Sequence, residues 1–330
     1  MRIDYRIGRT SRIGVVVVTA AVAVAGALAG AVSANGQRVG LAKKVITLDP
    51  STHGNPEGIA YDPRSGAFYV GAIGDGTIYR GTLDADTAVE FIPGGEGLQA
   101  VGLEVWRGRL YVAGGFTGSV RVYDLDTRDL IAAFDTGEGG MINDLVVTPK
   151  GDVYATDSFR PVLWHITADQ VDAGGGEPEA ISLAPEIEYD LTPFTFNVNG
   201  IVAMNGGRRL VVVQSNTGYL FRVDLDEQAP NGREITRVDI EPVYGDGLLL
   251  DNGRLVAVTF DPVGLAIIKL HEQDASGQVL ERVTDPTFRD ASTVARARNF
   301  YLVVNADFST STTPFTVTIL PRHGDGGDEQ

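Results

Sequence analysis

Met141-Ile142-Asn143-Asp144-Leu145-Val146-Val147-Thr148-Pro149-Lys150-Gly151-Asp152-Val153-Tyr154-Ala155-Thr156-Asp157-Ser158 reads as a short apolar strand, a Pro-Lys-Gly-Asp turn and a second, alternating strand ending in Thr-Asp-Ser. Two strands around a Gly-containing loop make a hairpin. One hairpin is marginal in water, but this one has five echoes along the chain.

Glu57-Gly58-Ile59-Ala60-Tyr61 leads through Pro63-Arg64-Ser65-Gly66 into Ala67-Phe68-Tyr69-Val70. Val101-Gly102-Leu103 leads through Arg107-Gly108 into Leu110-Tyr111-Val112. Asn199-Gly200-Ile201 and Asp246-Gly247-Leu248 open two further copies, each with a Gly-containing turn before its second strand. A weaker sixth copy starts at Ala291-Ser292-Thr293-Val294. From 57 the openings fall at 101, 143, 199, 246 and 291, in steps of 44, 42, 56, 47 and 45 residues. Short strands repeating every 40–50 residues or so are the signature of a β-propeller. No copy can bury its apolar face alone, so the repeat predicts one all-β domain over 35–322: a six-bladed β-propeller with four-stranded antiparallel blades. Lys43–Leu48 is expected to close the circle by pairing beside Phe315–Leu320 in the last blade.

The ends read differently. Residues 1–34 carry Arg2, Arg6, Arg9 and Arg12, then an Ala/Val-rich run, then Val32-Ser33-Ala34, a signal-peptidase pattern. The chain is therefore expected to be exported, secreted or extracytoplasmic; uncleaved, the same segment would be a membrane anchor, the only membrane contact expected. Residues 323–330 are Gly- and Asp-rich and expected to be a disordered tail. Removing residues 1–34 takes the formal charge from −16 to −19. That repels phosphate backbones and argues against nucleic acid as a partner. The absence of cysteine excludes disulfides and thiolate sites. The chain is read as a monomer acting on a small molecule.

The long step, from 143 to 199, contains Ala173-Gly174-Gly175-Gly176-Glu177-Pro178, then Tyr189, Phe194 and Phe196. It is expected as a lid or a mobile loop on the face where the innermost strands begin.

The residues opening the innermost strands, Glu57, Val101, Asn143, Asn199, Asp246 and Ala291, should circle the mouth of the central channel. Four of the six bear oxygen and none is His or Cys. Such a set suits a hard divalent cation: calcium first, magnesium or manganese next, and zinc last because it prefers N or S donors. Asn-Gly and Asp-Gly are also ordinary turn pairs, so any one position alone reads as structural. Four at one repeat phase, with Glu57 and Asp246 forced together, favour a metal. Asp157 is either a substrate or water contact or a plain turn residue. Of the histidines, only His53 is near enough in sequence to Glu57 to reach the site, and a surface loop suits it better. No nucleophile elbow, His-Glu-x-x-His, P-loop or dinucleotide fingerprint is present, which argues against covalent serine catalysis.

Asn55-Pro56-Glu57-Gly58, Ile142-Asn143-Asp144, Asn199-Gly200 and Gly245-Asp246-Gly247 resemble the metal-binding motifs of the senescence-marker-protein/gluconolactonase family, the regucalcin-like and luciferin-regenerating-enzyme-like propellers. The resemblance spans about residues 45–320. It implies a cation held by Glu57, Asn199 and Asp246, with Asn143 a fourth ligand or a holder of substrate and water. It implies hydrolysis of a lactone or related ester, with Asp246 or Asp157 taking the proton of the attacking water. Sugar-lactonase relatives carry Arg where this chain has Met141, which leaves room for a more apolar substrate. The alternative reading is a non-catalytic binding module of the cell envelope with a structural calcium.

Overall fold

The computed structural model describes residues 37–39, 42–225, 232–271 and 275–322. The expected export segment and the tail from His323 lie outside these residues.

The opening hairpin forms as Ile142–Val147 against Val153–Asp157, with Leu145 opposite Ala155 and Val147 opposite Val153. Gly151 turns the chain at φ +99, and a Cβ there would stand 2.9 Å from the Trp106 ring. Both strands are buried on both faces, because alternate side chains enter two different cores. Leu145, Val147, Val153 and Ala155 pack with Tyr111, Val122 and Phe134 of the preceding sheet. Val146 and Tyr154 pack with Ile201, Val212 and Phe221 of the following one. Val162–Ile166 and Glu179–Ser182 complete this four-stranded antiparallel sheet.

Two more sheets have the same plan. One runs Leu103–Trp106, Arg109–Ala113, Ser119–Asp124 and Leu130–Asp135. The other runs Val198–Met204, Arg209–Gln214, Tyr219–Leu225 and Arg233–Arg237. A fourth, starting at Gly245–Asp251, gains Gln37–Val39 as a parallel fifth strand. The remaining strands form one eight-stranded sheet, hinged on Lys44–Asp49. That strand pairs antiparallel with Thr316–Pro321, as expected for closure, and also parallel with Thr87–Ile92.

The first strands Pro56–Asp62, Leu103–Trp106, Ile142–Val147, Val198–Met204, Gly245–Asp251 and Ala291–Ala297 touch in that order, and the last touches the first. Five of them shift register against their partners across two residues: Glu57-Gly58, Asn143-Asp144, Asn199-Gly200, Asp246-Gly247 and Ser292-Thr293. Ser292, not Ala291, therefore occupies the sixth place in the circle. The expected opening at Ala291 falls one residue early because the Ala-Ser-Thr sequence lacks the Gly that marks most of the other copies.

Glycine follows the circle position where neighbouring backbones come closest. A Cβ on Gly102 would lie 2.6 Å from Asp144 Cα and 2.7 Å from the Asn143 carbonyl oxygen, and one on Gly58 would overlap the Val101 carbonyl. Serine hydroxyls tie adjacent sheets together: Ser158 donates to the Val198 carbonyl at 2.7 Å, Ser215 to Gly245 at 2.7 Å and Ser292 to Glu57 at 2.7 Å.

The long step divides in two. Ala168–Ala173 is a short helix, capped by Thr167 and by Gly174 at φ +85, joining the third and fourth strands of its sheet. Residues 174–178 therefore lie on the face opposite the first-strand openings, a correction to the expectation of one insertion on one face. Only the part after Ser182, with Tyr189, Phe194 and Phe196, reaches the expected face, because Glu179–Ser182 intervenes as a fourth strand.

Overpacking at these contacts is expected to cost about 1–3 kcal/mol. Gly58→Ala should lower the denaturant midpoint accordingly, whereas Gly97→Ala, with nothing within 4 Å of an added Cβ, should lose only the smaller cost of its positive φ.

Candidate functional site

The register shifts turn Glu57, Asn143, Asn199 and Asp246 toward the axis, and all four are buried. Glu57 Oε1 accepts a hydrogen bond from Thr293 Oγ1 at 3.4 Å, while its Oε2 is buried with no hydrogen-bond partner. Asn143 Nδ2 donates to Ser158 Oγ at 2.9 Å, and that hydroxyl passes its own hydrogen to the Val198 carbonyl. The relay commits the Asn143 amide nitrogen and leaves the oxygen as the atom for a ligand. Val101 and Ser292 are buried in the other two places.

Two more carboxylates enter the channel that the opening residues alone did not reveal. Asp144 stands where four other copies have Gly58, Gly102, Gly200 and Gly247. Glu104 stands where the others have Ala60, Val146, Val202, Leu249 and Ala295. A charge at a repeat phase otherwise filled by Gly or by aliphatic residues was the available signal. Both line a cavity of about 370 Å3 that runs from them toward the far ends of the first strands, past Ile59, Leu103, Ile201 and Leu248 to Val147 and Leu250; Glu57, Asn143, Asn199 and Asp246 are not among its lining residues. A larger cleft, about 700 Å3, lies between Arg80 and Phe91 of one sheet and Leu125 and Arg128 of the next, and shares none of the residues named here as candidates.

The electrostatics follow from burial. Loss of water pushes the Glu57 carboxyl well above the usual range, and the nearby charges of Asp246 and Asp144 push it further against the Thr293 hydrogen bond. Burial lifts Asp246 to about 8, with a hydrogen bond from Asn199 opposing and Asp144 adding to the rise. Burial lifts Asp144 to about 7 although the Leu145 and Ile201 amides donate to it. Burial and then Asp144 raise Glu104 to about 8.

Asp157 has a different role. Its Oδ1 accepts from the backbone amides of Met141, Phe159 and Arg160, each at 3.0 Å. Its Oδ2 accepts from Arg160 Nε at 2.6 Å and from Trp164 Nε1 at 3.3 Å. Five donors occupy a fully buried carboxylate, so the structure gives it the turn-anchoring role and leaves no lone pair positioned for substrate or water. His53 pairs with Asp75 at 2.7 Å through one ring nitrogen and with Glu90 at 3.5 Å through the other. His165 stacks on Tyr154 at 4.6 Å in an outer strand.

Whether these residues suit a cation is a matter of donor chemistry. Among the described residues no group of three or more His, Cys, Asp or Glu is gathered as a metal cluster. The candidate set has two carboxylates and depends on the amide oxygens of Asn143 and Asn199 for the rest. All-oxygen donors, an unpartnered buried carboxylate oxygen and mutually repelling carboxylates fit a hard divalent ion.

Between about pH 4, where free carboxyls titrate, and about pH 8, where Asp246 and Glu104 do, the unfolded chain binds fewer protons than the folded one. Stability in chelator is therefore expected to fall as pH rises through that window. Urea midpoints measured against pH check this, and Asp246→Asn should flatten the slope. Asp157→Ala, by stranding Arg160 and three amides, should cost about 3 kcal/mol or more while leaving any cation-induced rise in the midpoint intact.

No family model matches the chain, and no curated protein matches it in sequence. Solved structures do match in shape. A candidate gluconolactonase aligns with TM-score 0.59 and 15% identity, over 84% of this chain and 92% of the other. The WD40 β-propeller domain of Doa1 aligns at 0.55 and 13%, over 81% and 79%. Hydrazine synthase of Kuenenia stuttgartiensis aligns at 0.53 and 14%, over 82% and 84%. At these identities the likeness speaks for the fold: an all-β chain of several four-stranded sheets, similar to β-propellers.

Proposed function

We propose that the chain is a six-bladed propeller acting, outside the cytoplasm and as a monomer, as a divalent-metal-dependent hydrolase of a lactone or related ester. The observation that carries this reading is the unpartnered Glu57 Oε2, buried in a circle in which Asn143, Asn199 and Asp246 also offer oxygen. The candidate gluconolactonase among the similar folds belongs to the class that the motifs resemble.

Glu57, Asn143, Asn199 and Asp246 would hold the ion, calcium before magnesium or manganese. When bound it supplies Lewis-acid polarisation of the ester carbonyl. The chain's own groups account for the rest. Water adds to the carbonyl carbon, the ring C–O bond breaks, and the proton released by water ends on the departing alkoxide, giving a hydroxy acid. Asp246 is the carboxylate assigned to receive that proton first, since Asp157 is fully engaged. The Ser158 relay holds Asn143 with its oxygen available.

A second reading, a binding module with a structural cation, draws support from that same engagement of Asp157, which leaves only Asp144 and Glu104 among the described channel carboxylates outside the ligand set, and burial favours the protonated form of both. The two separate on turnover. Calcium at a hundredfold excess over its dissociation constant should stabilise the fold by about 2.7 kcal/mol, and Asp246→Asn should abolish that shift in thermal unfolding. In an assay of simple lactones, Glu57→Gln should lower kcat by about a hundredfold or more. A metal-dependent midpoint with no turnover of any lactone or ester would favour the binding module.

A further inference from the structure

Large apolar side chains are distributed unevenly over the surface. Of twelve exposed among the described residues, eight lie in or beside the loops of the face where the first strands begin, including Phe116, Phe194, Phe196, Tyr244 and Phe308. The other four lie in outer strands, and of these Leu130 opens its strand beside a loop of the opposite face, whose loops themselves carry none. Exposed apolar surface gathered on one face marks a binding surface.

Next to Asn143 this surface is ordered. Phe159 stands between two other rings, 5.5 Å from Phe116 and 5.5 Å from Phe196, tilted at 57° and 55°. Each ring is fixed by backbone near the candidate site. Phe159 follows Ser158, which accepts from the Asn143 amide. Gly115, just before Phe116, exchanges two backbone hydrogen bonds with Ile142. Asn197, just after Phe196, donates to the Ser158 carbonyl at 3.1 Å. Met141 is buried against the same turn, its amide on Asp157. The three rings therefore form an apolar strip that starts at the mouth of the channel. Phe194, 77% exposed, extends the same loop.

We propose that the ligand of this site carries an alkyl chain, laid across Phe159 between Phe116 and Phe196, with its polar head at Asn143. For catalysis this rests on the hydrolase reading and narrows its substrates to alkyl-substituted lactones or esters. Polyhydroxylated lactones would leave the strip unfilled and strip water from their hydroxyls without replacing it.

The test uses two parallel series of γ-substituted rings, from methyl to decyl: lactones for turnover and the matching non-hydrolysable lactams for calorimetric binding. The lactam Kd should fall by up to about fourfold for each methylene buried, and kcat/KM for the lactones should rise in step. Phe159→Ser and Phe196→Ser should flatten both trends. Phe194→Ser, whose exposed position removes the risk of misfolding, should reduce the gain for the longest chains. A lactam series that binds with no dependence on chain length overturns the proposal, even if lactones are hydrolysed. Length-dependent lactam binding without turnover keeps the alkyl ligand and removes the hydrolase. A flat series together with adsorption to phosphatidylcholine vesicles overturns it in favour of a lipid-docking face.

Discussion

The mutual repulsion of Glu57, Asp144 and Asp246 in one desolvated space is the constraint on which the rest of the axis depends. Burial keeps all three from ionising easily; the charges of Asp246 and Asp144 add to this at Glu57, and that of Asp144 adds to it at Asp246. Amides in their place would remove the conflict at little cost to packing. The backbone that creates the conflict is also tightly specified. First strands approach so closely that Gly58, Gly102 and Gly200 admit no Cβ, and the register shifts that allow the approach turn the polar side chains inward. Close packing and convergent charge are two results of one backbone geometry.

Much of this could be read from the sequence, for a physical reason. A repeated hairpin must place equivalent residues at equivalent heights, so Glu57, Asn143, Asn199 and Asp246 share a level by construction. The same logic placed the sixth copy one residue early, because Ala291-Ser292-Thr293 has no glycine to fix its phase. Asp144 and Glu104 lie one and three residues beyond the circle position, at phases that the other copies fill with small or apolar side chains. Their signal was a departure from the other copies at neighbouring phases.

Repeat phase also marks structural residues, which explains the reading of Asp157. It pairs across from Ile142, as Gln214 does from Val198 and Asn305 from Ala291. All three are buried polar side chains that tie down nearby loops: Gln214 donates to the Glu188 carbonyl, and Asn305 accepts from Arg289 and donates to Thr316 and Thr318. Position in the repeat cannot separate such an anchor from a ligand. Satisfaction can: Asp157 has five donors, and Glu57 keeps an oxygen with none.

The strand Lys44–Asp49 has a consequence for the order in which the molecule is made. It joins two sets of strands, one finished early in synthesis and one finished last. Its parallel partner Thr87–Ile92 is made shortly after it, whereas its antiparallel partner Thr316–Pro321 is among the last described residues to emerge. Once docked on the first, it presents an unpaired edge for as long as the remaining sheets take to appear. An open edge of that kind accepts any complementary strand, including one from another nascent chain. The growing polypeptide is thus most exposed to mispairing just before its circle closes, and least able to escape it, because the correct partner arrives only after nearly every other contact has formed.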